Sequence, residues 1–329
     1  MLSVVRTGQP SSYVCHLLST LKQVLLLRTV QTKAAMFVYT CWLVYQGNWM
    51  KTQKGEVADV RALSQRPVEA FQRADNVAAL INIRTDLLRG FSFLGFPCAS
   101  ESCHPLVATA AHYHAGRSDR YEGSPLELYY NLVRPRSVAE ILGLEGRFSQ
   151  WRLNWLPPLF ADVPWRRAPS FHVWRRNIKT MRRDAAQHGV RVTGRSWNFA
   201  GPTDAEVASL EWHRVCSLVD SIAEHGYDAS KANDHIGGAL LVRGKEYSLL
   251  VKGGQHRAAA LAALGYEEIP VIIRQDAGVI RREEVDTWPA VRSGVLTRTQ
   301  ALQVFDRVFE GRHPRCVRPY CEALTSLFQ

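Results

Sequence analysis

The sequence predicts an α+β protein in which a helical N-terminal region is followed by a small mixed sheet flanked by helices. Three observations carry this expectation. Of the 329 residues 46% are hydrophobic and 22% charged, a profile that can bury a core and that excludes wholesale disorder, collagen-like and coiled-coil chains. Two short apolar runs, Ala239-Leu240-Leu241-Val242 and Tyr247-Ser248-Leu249-Leu250-Val251, flank Arg243-Gly244-Lys245-Glu246 as the arms of a hairpin do. The strong helix former Ala258-Ala259-Ala260-Leu261-Ala262-Ala263-Leu264, closed by Gly265, then leads into the β-branched strand Ile269-Pro270-Val271-Ile272-Ile273.

Residues 1–50 contain no Asp or Glu, and Arg6, Lys22, Arg28 and Lys33 are their only fixed charges. Within them residues 34–50 are uncharged. At ~1.5 Å per helical residue they reach only the short end of the membrane-spanning range, and Gln46, Gly47 and Asn48 lower their hydrophobicity, so a span is not expected. The run also begins too late for a secretory signal. A natural start at Met36 or Met50 is the other reading of this extension. The seven cysteines are too few and too scattered for a disulfide framework, which points to a reducing compartment and hence the cytoplasm.

Residues 51–150 read as a helical region. Val57, Val60, Leu63, Val77, Leu80, Ile81, Leu87 and Leu88 recur at three- and four-residue intervals, predicting one or two packing helices over residues 55–96. The loop-like stretch 97–123 carries Cys98, Cys103, His104, His112 and His114, whose spacing is not a recurrent zinc arrangement, so no metal is assigned to it. Ser124-Pro125-Leu126-Glu127 and Ser137-Val138-Ala139-Glu140 are helix starts.

Residues 151–202 form an aromatic, proline-rich and then strongly basic connection. Between 165 and 195, nine cationic side chains oppose the single acid Asp184, a surplus of eight out of the chain's net eleven. The pairs Arg175/Arg176 and Arg182/Arg183 lie seven residues apart with Lys179 between them, which on a helix places Arg175, Lys179 and Arg182 on one face. Arginines suit phosphate, and Trp165, Phe171 and Trp174 offer rings for stacking, so this segment suggests nucleic acid as a partner. A solvated amphipathic helix is the other reading.

In residues 203–275, Thr203-Asp204-Ala205-Glu206 reads as a capping box, and Val207, Leu210, Val215, Leu218, Val219 and Ile222 follow on one helical face up to Gly226. The hairpin's second strand, the Gly-Gly turn, the Ala/Leu helix and the last strand then form a β-α-β unit. At its turn stands Gly253-Gly254-Gln255-His256-Arg257. Glycines let a ligand approach the backbone, the first helical amides have no intrahelical acceptor, and His256 and Arg257 add donors, so the turn is expected to bind an anion. Glu224 and Asp276, at the ends of the flanking helix and strand, are the candidate base or metal ligands. Gly-x-Ser-x-Gly, Walker and His-Glu-x-x-His sequences do not occur.

Residues 203–273 resemble the N-terminal domain of the ParB/sulfiredoxin superfamily. Ser221-Ile222-Ala223-Glu224-His225-Gly226 is similar to that family's Ser-Ile-x-x-x-Gly helix, and the turn from Gly253 to Arg257 to its Gly-x-x-Arg phosphate box. The resemblance implies a nucleotide site at Gly254, His256 and Arg257 for ATP or CTP, with Mg²⁺, and an activity such as phosphotransfer or nucleotide hydrolysis. Two alternatives stand beside it: a DNA-binding regulator using residues 165–195, and a non-catalytic anion-binding module of a cell-envelope or polysaccharide pathway. Where sulfiredoxins carry a nucleophilic Cys this chain has Gln255, so sulfinic acid reduction is not expected, and Gly253 replaces the Asp of the related serine kinases. About 55 residues follow Ile273, too few for the helix-turn-helix domain and dimerising tail of partition proteins. Residues 276–329 read as a structural tail, with a helix capped by Thr297-Arg298-Thr299-Gln300.

Overall fold

Ala239, Leu240, Leu241 and Val242 are all buried, as are Ser248, Leu249, Leu250 and Val251, so the hairpin they form has both faces covered and lies inside its sheet. The computed structural model describes residues 57–75, 77–144, 151–192, 197–228, 235–276 and 278–327, all within the unit formed by residues 57–329. Its strands are β1 (Ala58–Asp59), β2 (Ala78–Arg84), β3 (Leu88–Gly90), β4 (Phe96–Pro97), β5 (Gly237–Arg243), β6 (Glu246–Gly253), β7 (Glu268–Arg274) and β8 (Val279–Arg281). They form one mixed sheet in the order β1-β2-β7-β5-β6-β3-β4, with β8 also beside β5. The chain is therefore a mixed helix-and-sheet protein, as its composition and patterning predict.

The helices are α1 (Pro67–Arg73), α2 (Pro105–His114), α3 (Pro125–Leu132), α4 (Val138–Leu142), α5 (Trp151–Trp155), α6 (Phe171–Gln187), α7 (Ala205–His225), α8 (Gln255–Ala263), α9 (Pro289–Arg292), α10 (Arg298–Phe309) and α11 (Arg318–Leu327). Several begin as their sequences dictate. Ser124 Oγ accepts from Glu127 N at 3.3 Å, Ser137 Oγ accepts from Glu140 N at 3.2 Å, and Thr297 and Gln300 close a reciprocal capping box. The expected box at Thr203 does not form. Asp204 is the N-cap without a side-chain cap bond, while the Thr203 hydroxyl lies 2.7 Å from the Trp197 carbonyl and 3.2 Å from that of Ala200, ordering the entry to α7 instead.

Residues 55–96 correct the helical expectation. Among the described residues there, only α1 and three-residue 3₁₀ turns are helical, and Ala78–Arg84 is instead a strand paired antiparallel with β7 along its whole length. Ala79, Ile81 and Ile83 fill one face of β2, while Ala78 is buried on the other. Leu80, apolar on the half-buried face, masks the alternation in the sequence, so the run from Ala78 to Ile81 also fits a helix. The β-α-β expectation is corrected too. β6, α8 and β7 follow in that order, but β5 lies between the two strands, antiparallel to β6 and parallel to β7.

Strands from both sides of residue 203 share this sheet, and the tail contributes β8 as well as Trp288, buried against Trp165 and Phe305. The helices α2, α7 and α8 pack together, and Ala258, Ala259 and Ala260 of α8 are fully buried. One cysteine pair does meet: Cys103 and Cys321, 218 residues apart in sequence, form a disulfide. Among the described residues no helix is long and apolar enough to cross a membrane. The readings of residues 1–50 and the contribution of Arg195 lie outside the described residues.

Candidate anion-binding cleft

Gly254 has φ +73°, and a Cβ there would lie 3.1 Å from Ile236 Cα, so both backbone and packing demand glycine at the N-cap of α8. Gly253 differs, because a Cβ added to it meets nothing within 4 Å. Gln255 holds the turn in place. Its Oε1 accepts from Phe91 N at 2.8 Å and its Nε2 donates to the Val251 carbonyl at 3.4 Å. That bond fixes Phe91 at φ 52° beside Ser92 at φ 48°, two adjacent non-glycine residues in the left-handed region on the wall of the site.

These elements border an open cleft of about 830 Å³. All five residues from Gly253 to Arg257 line it, together with Lys252 at the end of β6. The opposite wall comes from Asp162, Arg166 and one side of α6, including Arg176, Thr180, Arg183 and Asp184. Phe91, Phe93, Trp197 and Phe199 form an apolar corner, their rings 5.4 to 6.0 Å apart in the pairs Phe91–Phe199, Phe93–Trp197, Phe93–Phe199 and Trp197–Phe199.

A chain of charges ties the walls together. His256 Nε2 lies 3.0 Å from Glu211 Oε2, Arg214 Nη1 donates to Glu211 Oε1 at 2.8 Å, and the same nitrogen donates to Asp184 Oδ2 at 2.8 Å. Glu211 is only 3% exposed. Burial alone would raise its carboxyl, but His256 and Arg214 outweigh that penalty and hold it below the usual carboxylate range. Asp162, 5% exposed, accepts from Arg176 Nη2 at 2.8 Å and from Val163 N at 2.9 Å. Lys252 reaches solvent but sits in the recess of the cleft. Desolvation there, reinforced by the Arg166 charge, pulls its ammonium down to about 8.

No protein-family model, curated protein or solved structure matches this chain. The meaning of the cleft rests on its geometry, which sorts the sequence-derived candidates into three groups. The glycine-rich turn converges with Arg176 and Arg183 on the cleft. Arg175, Lys179 and Arg182 instead point away from it as an exposed row, so the five basic residues expected to act together are divided between two faces of α6. Trp165, expected as a stacking ring, is a core residue 7% exposed, and Phe171 and Trp174 stack on each other at 4.9 Å.

The acids expected beside the turn are corrected as well. Glu224, at the solvent end of α7, is 76% exposed with His225 as its neighbour at 3.8 Å, and it does not line the cleft. Asp276 lies in the turn after β7; it does not line the cleft either, although its charge reaches Lys252. The carboxylates that do line it are Asp162, Asp184 and Glu211. A signal for Glu211 was present in the sequence, since it interrupts the buried stripe Val207, Val215 and Val219 at the four-residue spacing of one helix face.

Proposed function

We propose that the cleft binds the phosphates of a nucleoside triphosphate, ATP or CTP, in keeping with the ParB/sulfiredoxin resemblance of residues 203–273. The observation that carries the reading is the convergence of the Gly254 helix start with Arg166, Arg176, Arg183, Arg214, Lys252 and Arg257 on one cleft. Arg176 Nη1 is buried with no hydrogen-bond partner, a donor that a phosphate oxygen would satisfy. Arg166 and Arg183 meet no carboxylate within ion-pair distance among the described residues. The aromatic corner offers apolar surface to a base. Asp162, Asp184 and Glu211 each already face an arginine, so Mg²⁺ would arrive with the triphosphate and not in a protein cage.

For phosphotransfer or hydrolysis the cleft holds a proton acceptor. Glu211 holds His256 through Nε2, which fixes the ring and leaves Nδ1 to accept a proton from a substrate hydroxyl or water. Calorimetry and thermal shift with ATP, CTP and inorganic triphosphate, each with and without Mg²⁺, test the reading. A nucleotide should raise the melting temperature of the wild type and do so far less in Arg257→Ala. Equal shifts in both proteins, or none with any nucleotide, would sink it. Binding without turnover would favour the non-catalytic anion-binding alternative.

The exposed row Arg175, Lys179 and Arg182, with Phe171 55% exposed on the same helix, favours a second reading as a nucleic-acid contact. Neutralising the row should then flatten the salt dependence of duplex binding by roughly 0.9 in log–log slope per lost phosphate contact. An unchanged slope removes it.

A further inference from the structure

Far from the anion-binding turn in sequence, three side chains with metal-ligating atoms come together. Cys103 lies just before α2, His313 follows α10, and Cys321 is in α11. The two sulfurs and a ring nitrogen of His313 all lie within 4.8 Å of one another. The cysteines are joined as a disulfide with their Cα atoms 5.5 Å apart. They border a hollow of about 450 Å³ lined by Ser100, Glu101, Ser102 and Thr325 among others.

A disulfide that served only as a cross-link would not need an imidazole beside it. His313 Nδ1 is nevertheless buried with no hydrogen-bond partner, an arrangement that costs stability unless something else uses the lone pair or proton. The ring is fixed by packing on Phe96, 4.6 Å between centroids. A buried imidazole held by ring packing with a nitrogen left unpartnered is placed to give that nitrogen to a ligand.

We propose that Cys103, Cys321 and His313 form a redox-gated site for a thiophilic divalent cation, Zn²⁺ in the first place, occupied when the disulfide is reduced. The chemistry balances with one external reactant, a dithiol reductant. A dithiol reductant delivers two electrons and two protons to the Cys103–Cys321 bond and becomes a disulfide itself, leaving two thiols. The cation then displaces the two thiol protons, forms two metal–sulfur bonds and takes a lone pair from His313. Two thiolates on one tetrahedral zinc ion stand about 3.8 Å apart, a separation that cysteines with this Cα spacing can span by side-chain rotation. The thiolates neutralise the cation, and three protein ligands leave a fourth position, open to the hollow, for water. In either state the loop before α2 is tied to α11, so the cation replaces the covalent link when the link is broken.

Full-length protein, reduced with dithiothreitol and desalted without oxygen, should bind Co²⁺ with the visible bands of a tetrahedral ion and a thiolate-to-cobalt band in the near ultraviolet. Zn²⁺ should displace it. The oxidised protein should show neither signal. Cys103→Ser should remove the thiolate band of this site, which separates it from background binding at the other cysteines. Because that variant also loses the cross-link, His313→Gln is the decisive one: it keeps both cysteines and should weaken Co²⁺ at least tenfold. Zn²⁺ should also raise the melting temperature of the reduced wild type more than that of the oxidised form. Equal binding by reduced and oxidised protein, absence of the thiolate band, or wild-type affinity in His313→Gln would each overturn the proposal.

Discussion

Arg307 and Arg214 are both drawn out of bulk solvent, yet their surroundings give them opposite roles. Arg307, 6% exposed, has no carboxylate beside it among the described residues: Nη1 donates to the carbonyls of Leu94 at 3.3 Å and Arg312 at 3.1 Å, and Nη2 to those of Phe93 at 2.5 Å and Leu142 at 3.3 Å. Burial pulls its guanidinium down to about 10. Arg214 faces Asp184 and Glu211 instead and borders the cleft. Phe93 belongs to both regions, with its carbonyl on Arg307 and its ring on the cleft. An arginine whose two terminal nitrogens are held by fixed main-chain carbonyls, with only its buried Nε left without a partner, has become part of the scaffold, whereas one balanced by carboxylates at the edge of a cavity keeps donors and charge available to a ligand.

Breaking the scaffold side should have the larger effect. Arg307→Met would leave four carbonyls, three of them in buried bonds, without this donor and is expected to cost about 3 kcal/mol or more of folding stability, measured by urea denaturation. A loss below about 1 kcal/mol would show that water replaces the guanidinium and would remove the contrast. Glu211→Gln tests the junction of the two regions and should cost about 2 kcal/mol, since it leaves Arg214 and His256 without their shared buried charge. The sign of its pH dependence follows from the depressed carboxyl. The stabilisation is present above the ordinary carboxylate range and disappears as pH falls through the lower folded value, so wild type and variant should converge in acid. Divergence in acid would contradict the assignment.

On the binding side, Arg257→Ala should leave the denaturation midpoint nearly unchanged while weakening phosphate ligands at least tenfold, about 1.5 kcal/mol of a charge-assisted contact. A midpoint shift as large as that of Arg307→Met would place Arg257 in the scaffold. The smallest effect concerns Lys252. Its folded pKa of about 8 lies below the unfolded value, so the folded chain holds fewer protons between the two and stability should rise with pH across that window. A bound anion restores the ammonium, so calorimetry near pH 8 in buffers of different ionisation enthalpy should show proton uptake on ligand binding, absent in Lys252→Met.

Local signals were legible where the chain makes its own decisions. The capped starts at Ser124, Ser137 and Thr297, the hairpin around Gly244, and the glycine-headed helix after Gly254 all appear within a residue or two of their expected places. Illegible features depend on distant partners. Residues 78–84 become a strand because β7 lies alongside them, and their own apolar spacing also fits a helix. Glu211 stands out as a polar break in its buried stripe, but its pairing with His256, 45 residues later, does not, and the Cys103–Cys321 bond joins residues 218 apart. The division of the basic helix into a cleft face and an outer face follows from which side of α6 packs through Val173, Met181 and Ala185, a choice that the dense run of arginines conceals.

The pairing of β2 with β7 also has a consequence for biosynthesis. The two strands are about 190 residues apart, so at roughly 5 to 20 residues per second β2 leaves the ribosome some 10 to 40 s before its partner exists. Throughout that interval Ala79, Ile81 and Ile83 have an open strand edge and no neighbour on that side of the sheet. Nascent chains arrested before residue 268 should therefore be the ones that recruit chaperones, and release of those chaperones should coincide with the emergence of β7.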